Sequence, residues 1–118
     1  MPKRTLEKVS RRDVYDAFQQ LYQQLSDGYW ASTSIDAKDR IRGLADAVSE
    51  ILTELNRDDI ESRTDDFKTL TDIVKVITPR LAILGKEIDQ VIYAVKIGQN
   101  VAKAVDTAIG LAAKYFKI

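Results

Sequence analysis

Phe67, Leu70, Val74, Ile77, Leu81, Leu84, Ile88, Val91 and Val95 fill nine consecutive positions of an alternating three-and-four spacing. In a chain that is 45% hydrophobic, nine such hits in a given frame arise by chance with a probability on the order of 10⁻³, so the period is structural. A spacing near 3.5 puts every one of these side chains on one face of a helix, and it excludes strands here. Pro79 interrupts the run, and Thr78 before it reads as a cap followed by proline at a first helical position, which predicts a break or a kink. One straight helix over 65–97 would be about 50 Å long, against about 33 Å for the helix before it. A straight helix would therefore need a second chain to cover its overhang.

Two further helices precede this run. Ser10 with Asp13 three residues on forms a capping pattern, and Val14, Phe18, Leu21 and Leu25 follow at 4-3-4 spacing, which predicts a helix over about 11–26. The cluster Ser26-Asp27-Gly28-Tyr29-Trp30-Ala31-Ser32-Thr33-Ser34 reads as a loop. Thr33 or Ser34 then caps a second helix carrying Ile41, Leu44, Val48, Ile51 and Leu55, ending near Asn56. The polar stretch from Arg57 to Arg63 has no period and reads as a connection.

Gly98-Gln99-Asn100 reads as the last junction, before a helix over about 100–117 with two adjacent apolar rows. Its polar residues, Lys103, Thr107, Gly110, Lys114 and Lys117 with Asp106 beside them, make one narrow stripe. A helix so nearly apolar all round is expected at the centre of a bundle. The expected fold is all-α, a four- or five-helix bundle with heptad-like packing and a break or kink at Pro79. Its expected organisation is a flexible basic arm over 1–9 and a single helical domain over 10–118.

Composition narrows the chemistry. There is no His and no Cys in the 118 residues, which removes Ser-His-Asp catalysis, thiolate and His-based metal sites, and disulfides. The acidic group Glu54, Asp58, Asp59, Glu61, Asp65 and Asp66 lacks the glycine and alternating ligand spacing of a Ca²⁺ loop, and reads as a solvated turn. No enzyme, cofactor or metal is expected. The amino terminus carries no apolar run of the length a secretory signal needs, and charges interrupt every hydrophobic stretch, so a cytoplasmic protein is expected.

Eighteen basic residues balance eighteen acidic ones, but unevenly: residues 1–12 hold five basic and one acidic side chain, and 27–72 hold six basic and twelve acidic. Lys3, Arg4, Lys8, Arg11 and Arg12 form an electrostatic arm. Tyr29 and Trp30 are the candidate partner-binding residues, since aromatic side chains near the surface are favoured anchors, although loop aromatics also fold down as lids over a core. The leading expectation is a non-enzymatic interaction module, either self-associating as a homo-oligomer or serving as a protein–protein adaptor. The alternative is a membrane-active protein whose helix 100–117 inserts into or docks on a bilayer. A third reading is weak nucleic-acid binding through the basic arm.

Overall fold

A computed structural model describes residues 8–118 and shows five α-helices. They are α1 (Arg11–Trp30), α2 (Ile35–Leu55), α3 (Thr64–Lys86), the single turn α4 (Ile88–Val91) and α5 (Val95–Phe116), with a 3₁₀ turn at Ile60–Ser62 before α3. The all-α bundle read from the spacing is the fold. Among the described residues the only β pairing is an isolated antiparallel bridge between Ser32 and Ile92.

The starts of the first two helices follow local chemistry. At α1 the Asp13 backbone N–H donates to Ser10 Oγ at 3.1 Å and the Ser10 N–H donates to Asp13 Oδ2 at 3.0 Å, a complete capping box. At α2 the cap is Ser34, whose Oγ accepts from the Ala37 N–H at 3.1 Å. Thr33 is engaged elsewhere. Its N–H donates to the Val91 carbonyl at 2.8 Å and its hydroxyl to the Gln90 carbonyl at 2.7 Å, while the Tyr93 N–H donates to the Ala31 carbonyl at 3.0 Å. These bonds tie the α1–α2 connection to the α4–α5 connection, and they satisfy backbone groups that the helices cannot pair.

Four boundaries differ from the sequence reading. First, α1 runs to Trp30 rather than 26, so Asp27, Gly28, Tyr29 and Trp30 form its last turn and only Ala31–Ser34 remain as a connection. Gly28 lets α1 approach the second connection closely: a Cβ at this position would lie 2.8 Å from Ile92 Cδ1, so the tip of that side chain would have to shift. Second, α3 passes through Pro79 without the break that the sequence offers as one of two outcomes there. Pro79 and Lys75 both face solvent, so the Lys75 carbonyl that loses its partner can take water. Thr78 is no cap either, since its hydroxyl donates back to the Val74 carbonyl at 3.0 Å.

Third, the helix ends at Lys86. The turn α4 keeps Ile88 and Val91 in phase with the buried row, whereas Val95, the ninth member of the repeat, is 68% exposed. With α3 about 34 Å long, no overhang is left for a second chain to cover. Fourth, α5 opens at Val95, before Gly98, which is buried inside its first turns. It is not encircled: Val101, Ala104, Val105, Ala108, Ala112 and Phe116 are buried, while Lys103, Asp106, Thr107, Gly110 and Lys114 form the solvent stripe the sequence outlines.

One contiguous hydrophobic cluster joins all five helices and the 3₁₀ turn, with Phe18, Leu21, Leu25, Ile41, Ile51, Leu55, Leu70, Leu81 and Leu84 fully inside it. Ile60, in the segment read as a polar connection, is also fully buried and pins the 3₁₀ turn to the core. Helix α1 packs against α2 on one side and α5 on the other, α3 leans on α5, and α3 meets α2 along a thinner seam. The shortest extent of the backbone, 20 Å, corresponds to two helix layers. No described helix is long and apolar enough to cross a membrane.

Candidate partner-binding surface

Exposed large apolar side chains gather at one end of the bundle. Trp30 closes α1 and is 75% exposed, and Ile35 opens α2 at 76%. Tyr93 and Val95 flank the start of α5 at 67% and 68%, and the Ser32–Ile92 bridge holds the two connections beside each other. These four side chains make this end of the bundle the candidate surface.

Both sequence candidates lie here, on the final turn of α1 rather than in a loop. Tyr29 is half-buried against the core, and its ring meets Trp30 edge to face with centroids 5.1 Å apart. Lys38 Nζ, from the second turn of α2, lies 5.3 Å from the Tyr29 centroid and 5.6 Å from that of Trp30, and the Arg42 guanidinium is 5.5 Å from Tyr29. These cation–π contacts, each worth about 0.5–1 kcal/mol at an exposed site, set the rings from the α2 side. Trp30 does not fold over the core as a lid. Beside it, a hollow of about 250 Å³ between α1 and α2 is lined by Tyr22, Trp30, Ile41, Arg42 and Asp46 among others.

Ile35, Tyr93 and Val95 are missing from the sequence reading of this surface. Their signal is weak but present: Ile35 and Tyr93 are apolar residues that fit none of the periodic rows, and Val95 ends the long repeat where the helix has already stopped.

The electrostatic arm is divided. Lys3 and Arg4 lie outside the described residues, and Lys8 is exposed. Arg11 and Arg12 belong to α1. The Arg11 guanidinium donates to the Leu55 carbonyl at the end of α2 and sits 3.6 Å from Asp58, while Arg12 pairs with Asp16 at 3.4 Å. Arg11 is thus a strut between α1 and the end of α2, satisfying a carbonyl that the helix leaves unpaired.

The acidic turn is laced by arginines. Arg57 donates to Glu54 at 2.7 Å and to Asp66 at 3.2 Å, and Arg63 donates to Asp59 at 2.7 Å. The bond from Arg63 holds the Asp59 carboxyl below the usual carboxylate range, and Glu54 raises the Arg57 guanidinium. Glu61 accepts from the Tyr115 phenol, and burial together with this bond pushes Tyr115 up from its ordinary value. Among the described residues no group of three or more acidic side chains is placed to hold a metal ion.

No family model, no curated protein and no solved structure matches this chain.

Proposed function

We propose that the protein is a non-enzymatic interaction module that grips a protein partner with the end of the bundle carrying Trp30. The observation that carries the reading is the Trp30 indole, three-quarters exposed on the last turn of α1 and accompanied by Ile35, Tyr93 and Val95 at the same end. Tryptophan and tyrosine fixed by their neighbours give large contact area with little ordering entropy, and interface hot spots are enriched in both. Lys38, Arg42 and Asp46 around them supply the polar rim of such a contact. A cytoplasmic, protein-facing role fits this surface better than bilayer insertion by α5, whose apolar face is spent on α1 and α3.

Trp30 is the sole tryptophan, so its fluorescence reports on this surface alone. The isolated protein is expected to emit as a solvent-exposed indole. A photo-reactive residue placed at position 30 or 93 in cells is expected to give one discrete protein adduct that Ile35→Asp abolishes. Adducts formed only from the opposite end, near Tyr115, would rule this reading out.

A further inference from the structure

The hollow of about 250 Å³ beside Trp30 has an apolar floor and a charged rim. Leu25 and Ile41, both fully buried, line its bottom with half-buried Ala45, and the Tyr22, Tyr29 and Trp30 rings form the α1 wall. Small-molecule sites usually enclose roughly 300–1,000 Å³, so this one has room for a single large apolar side chain rather than a cofactor. On α2, Lys38, Arg42 and Asp46 follow at four-residue steps, about 6 Å apart along one side of the helix. Arg42 and Asp46 line the hollow, and Lys38 stands over the rings at its outer end. Building on the reading of the Trp30 end, we propose that this hollow takes one large apolar side chain from a protein partner, and that an Asp or Glu close to it in the partner's sequence pairs with Lys38 and Arg42.

The charges select this occupant. Of the six arginines from Arg11 to Arg63, five hold a carboxylate of this chain within 3.6 Å: Arg11, Arg12, Arg40, Arg57 and Arg63. Among the described residues Arg42 holds none, although Asp46 stands one turn away. Its guanidinium lies 5.5 Å from the Tyr29 centroid instead, and Lys38, over the same rings, also has no carboxylate partner. A cation on a ring face keeps N–H donors for a second partner, and the planar fork of arginine suits a carboxylate. The other nearby acids belong to different faces. Asp39 lines the hollow on the α3 side of α2, while Asp27 and Asp36 lie about 200° round their helices from Tyr29 and Lys38. Asp46 alone shares the site, at its inner end. The rim therefore reads positive, positive, negative from the Trp30 end inward, and it favours a segment whose acid lies towards that end.

The test places a photo-reactive residue at position 26, exposed on the wall of the hollow, in the full chain in cells, and sequences the peptide that it captures. That peptide is expected to carry a large apolar residue with an Asp or Glu within four positions. A synthetic copy of it is then titrated against the purified chain through Trp30 emission. Changing its acid to the amide is expected to weaken binding about tenfold, and Arg42→Gln to weaken the unaltered peptide by a similar factor. The two changes together are expected to add little beyond either alone. Ala45→Leu, which fills the hollow, is expected to remove the adduct, and Arg42→Glu gives the same readout should that variant lose helicity. The inference is overturned by a captured peptide without an acid, by fully additive losses, or by an adduct that neither variant disturbs. An adduct from position 93 that persists in those cases leaves the reading of the Trp30 end standing. Capture of a second copy of this chain, or recruitment to anionic phospholipid vesicles with no protein adduct, overturns the inference as well. No discrete adduct from position 26, 30 or 93 overturns both together.

Discussion

Helices α1 and α3 are amphipathic and similar in length, 20 and 23 residues, yet their surroundings differ sharply. α1 is flanked by α2 and α5 along its length, and its large apolar residues are buried except Tyr22 at its edge, half-buried Tyr15 and Tyr29, and Trp30 at its end. α3 has the more regular repeat but leans mainly on α5, and it leaves Val76 and Ile83 in solvent with Ile73 half-covered. Regular spacing measures how apolar one face is. It does not count the neighbours available to cover the rows beside that face, and in this bundle the helix with the weaker pattern has the fuller set of neighbours.

The largest expected effect breaks the better-covered side. Phe18→Ala removes a fully buried ring between α2 and α5 and is expected to cost about 3–5 kcal/mol in chemical denaturation. Val76→Ala on α3 should stay within about 0.5 kcal/mol at the same measurement. Equal costs at the two sites would erase the contrast between the helices.

Gly28→Val tests the end of α1, where the backbone approaches Ile92. The added side chain meets Ile92 at once and is β-branched within a helix, so a loss of about 2–3 kcal/mol is expected, visible as a lower Tm. On α3 the sign reverses. Pro79→Ala restores one helical hydrogen bond at an exposed position, and a gain of about 1–2 kcal/mol is expected from thermal unfolding. A loss there would mean that the proline shapes α3 in a way its neighbours require.

The smallest effect is a pH dependence where α3, α5 and the 3₁₀ turn meet. Phe67, Tyr115 and Phe116 pack with centroids 4.9–5.9 Å apart, and Tyr115 donates to Glu61. Folding raises the Tyr115 pKa, so its contribution is fully present below its unfolded value near 10.0 and is lost as pH climbs above it. Tyr115→Phe is expected to cost about 0.5–1 kcal/mol near neutral pH and to flatten the alkaline fall in stability. An unchanged alkaline slope in that variant would place the fall elsewhere.

Much of the fold was legible because helices advertise themselves locally. The Ser10 capping box, the rows through Val14–Leu25 and Ile41–Leu55, and the solvent stripe of α5 all appear as read. The candidate surface was legible only in part. Tyr29 and Trp30 are visible as aromatic residues near a break and Ile35 lies only five residues beyond Trp30, whereas Tyr93 and Val95 join them because the Ser32–Ile92 bridge brings together positions sixty residues apart. Ile60 was hidden by the polar residues around it, since a single apolar residue has no period to reveal it.

The sequence alone determined that these segments are helical and which face of each is apolar, because capping and 3.6-residue periodicity act between near neighbours along the chain. Tertiary structure decided where the helices stop, that Pro79 is absorbed within α3, and which apolar rows stay wet. Those outcomes depend on which side chains are available from distant parts of the chain to cover a surface, and no local spacing encodes that.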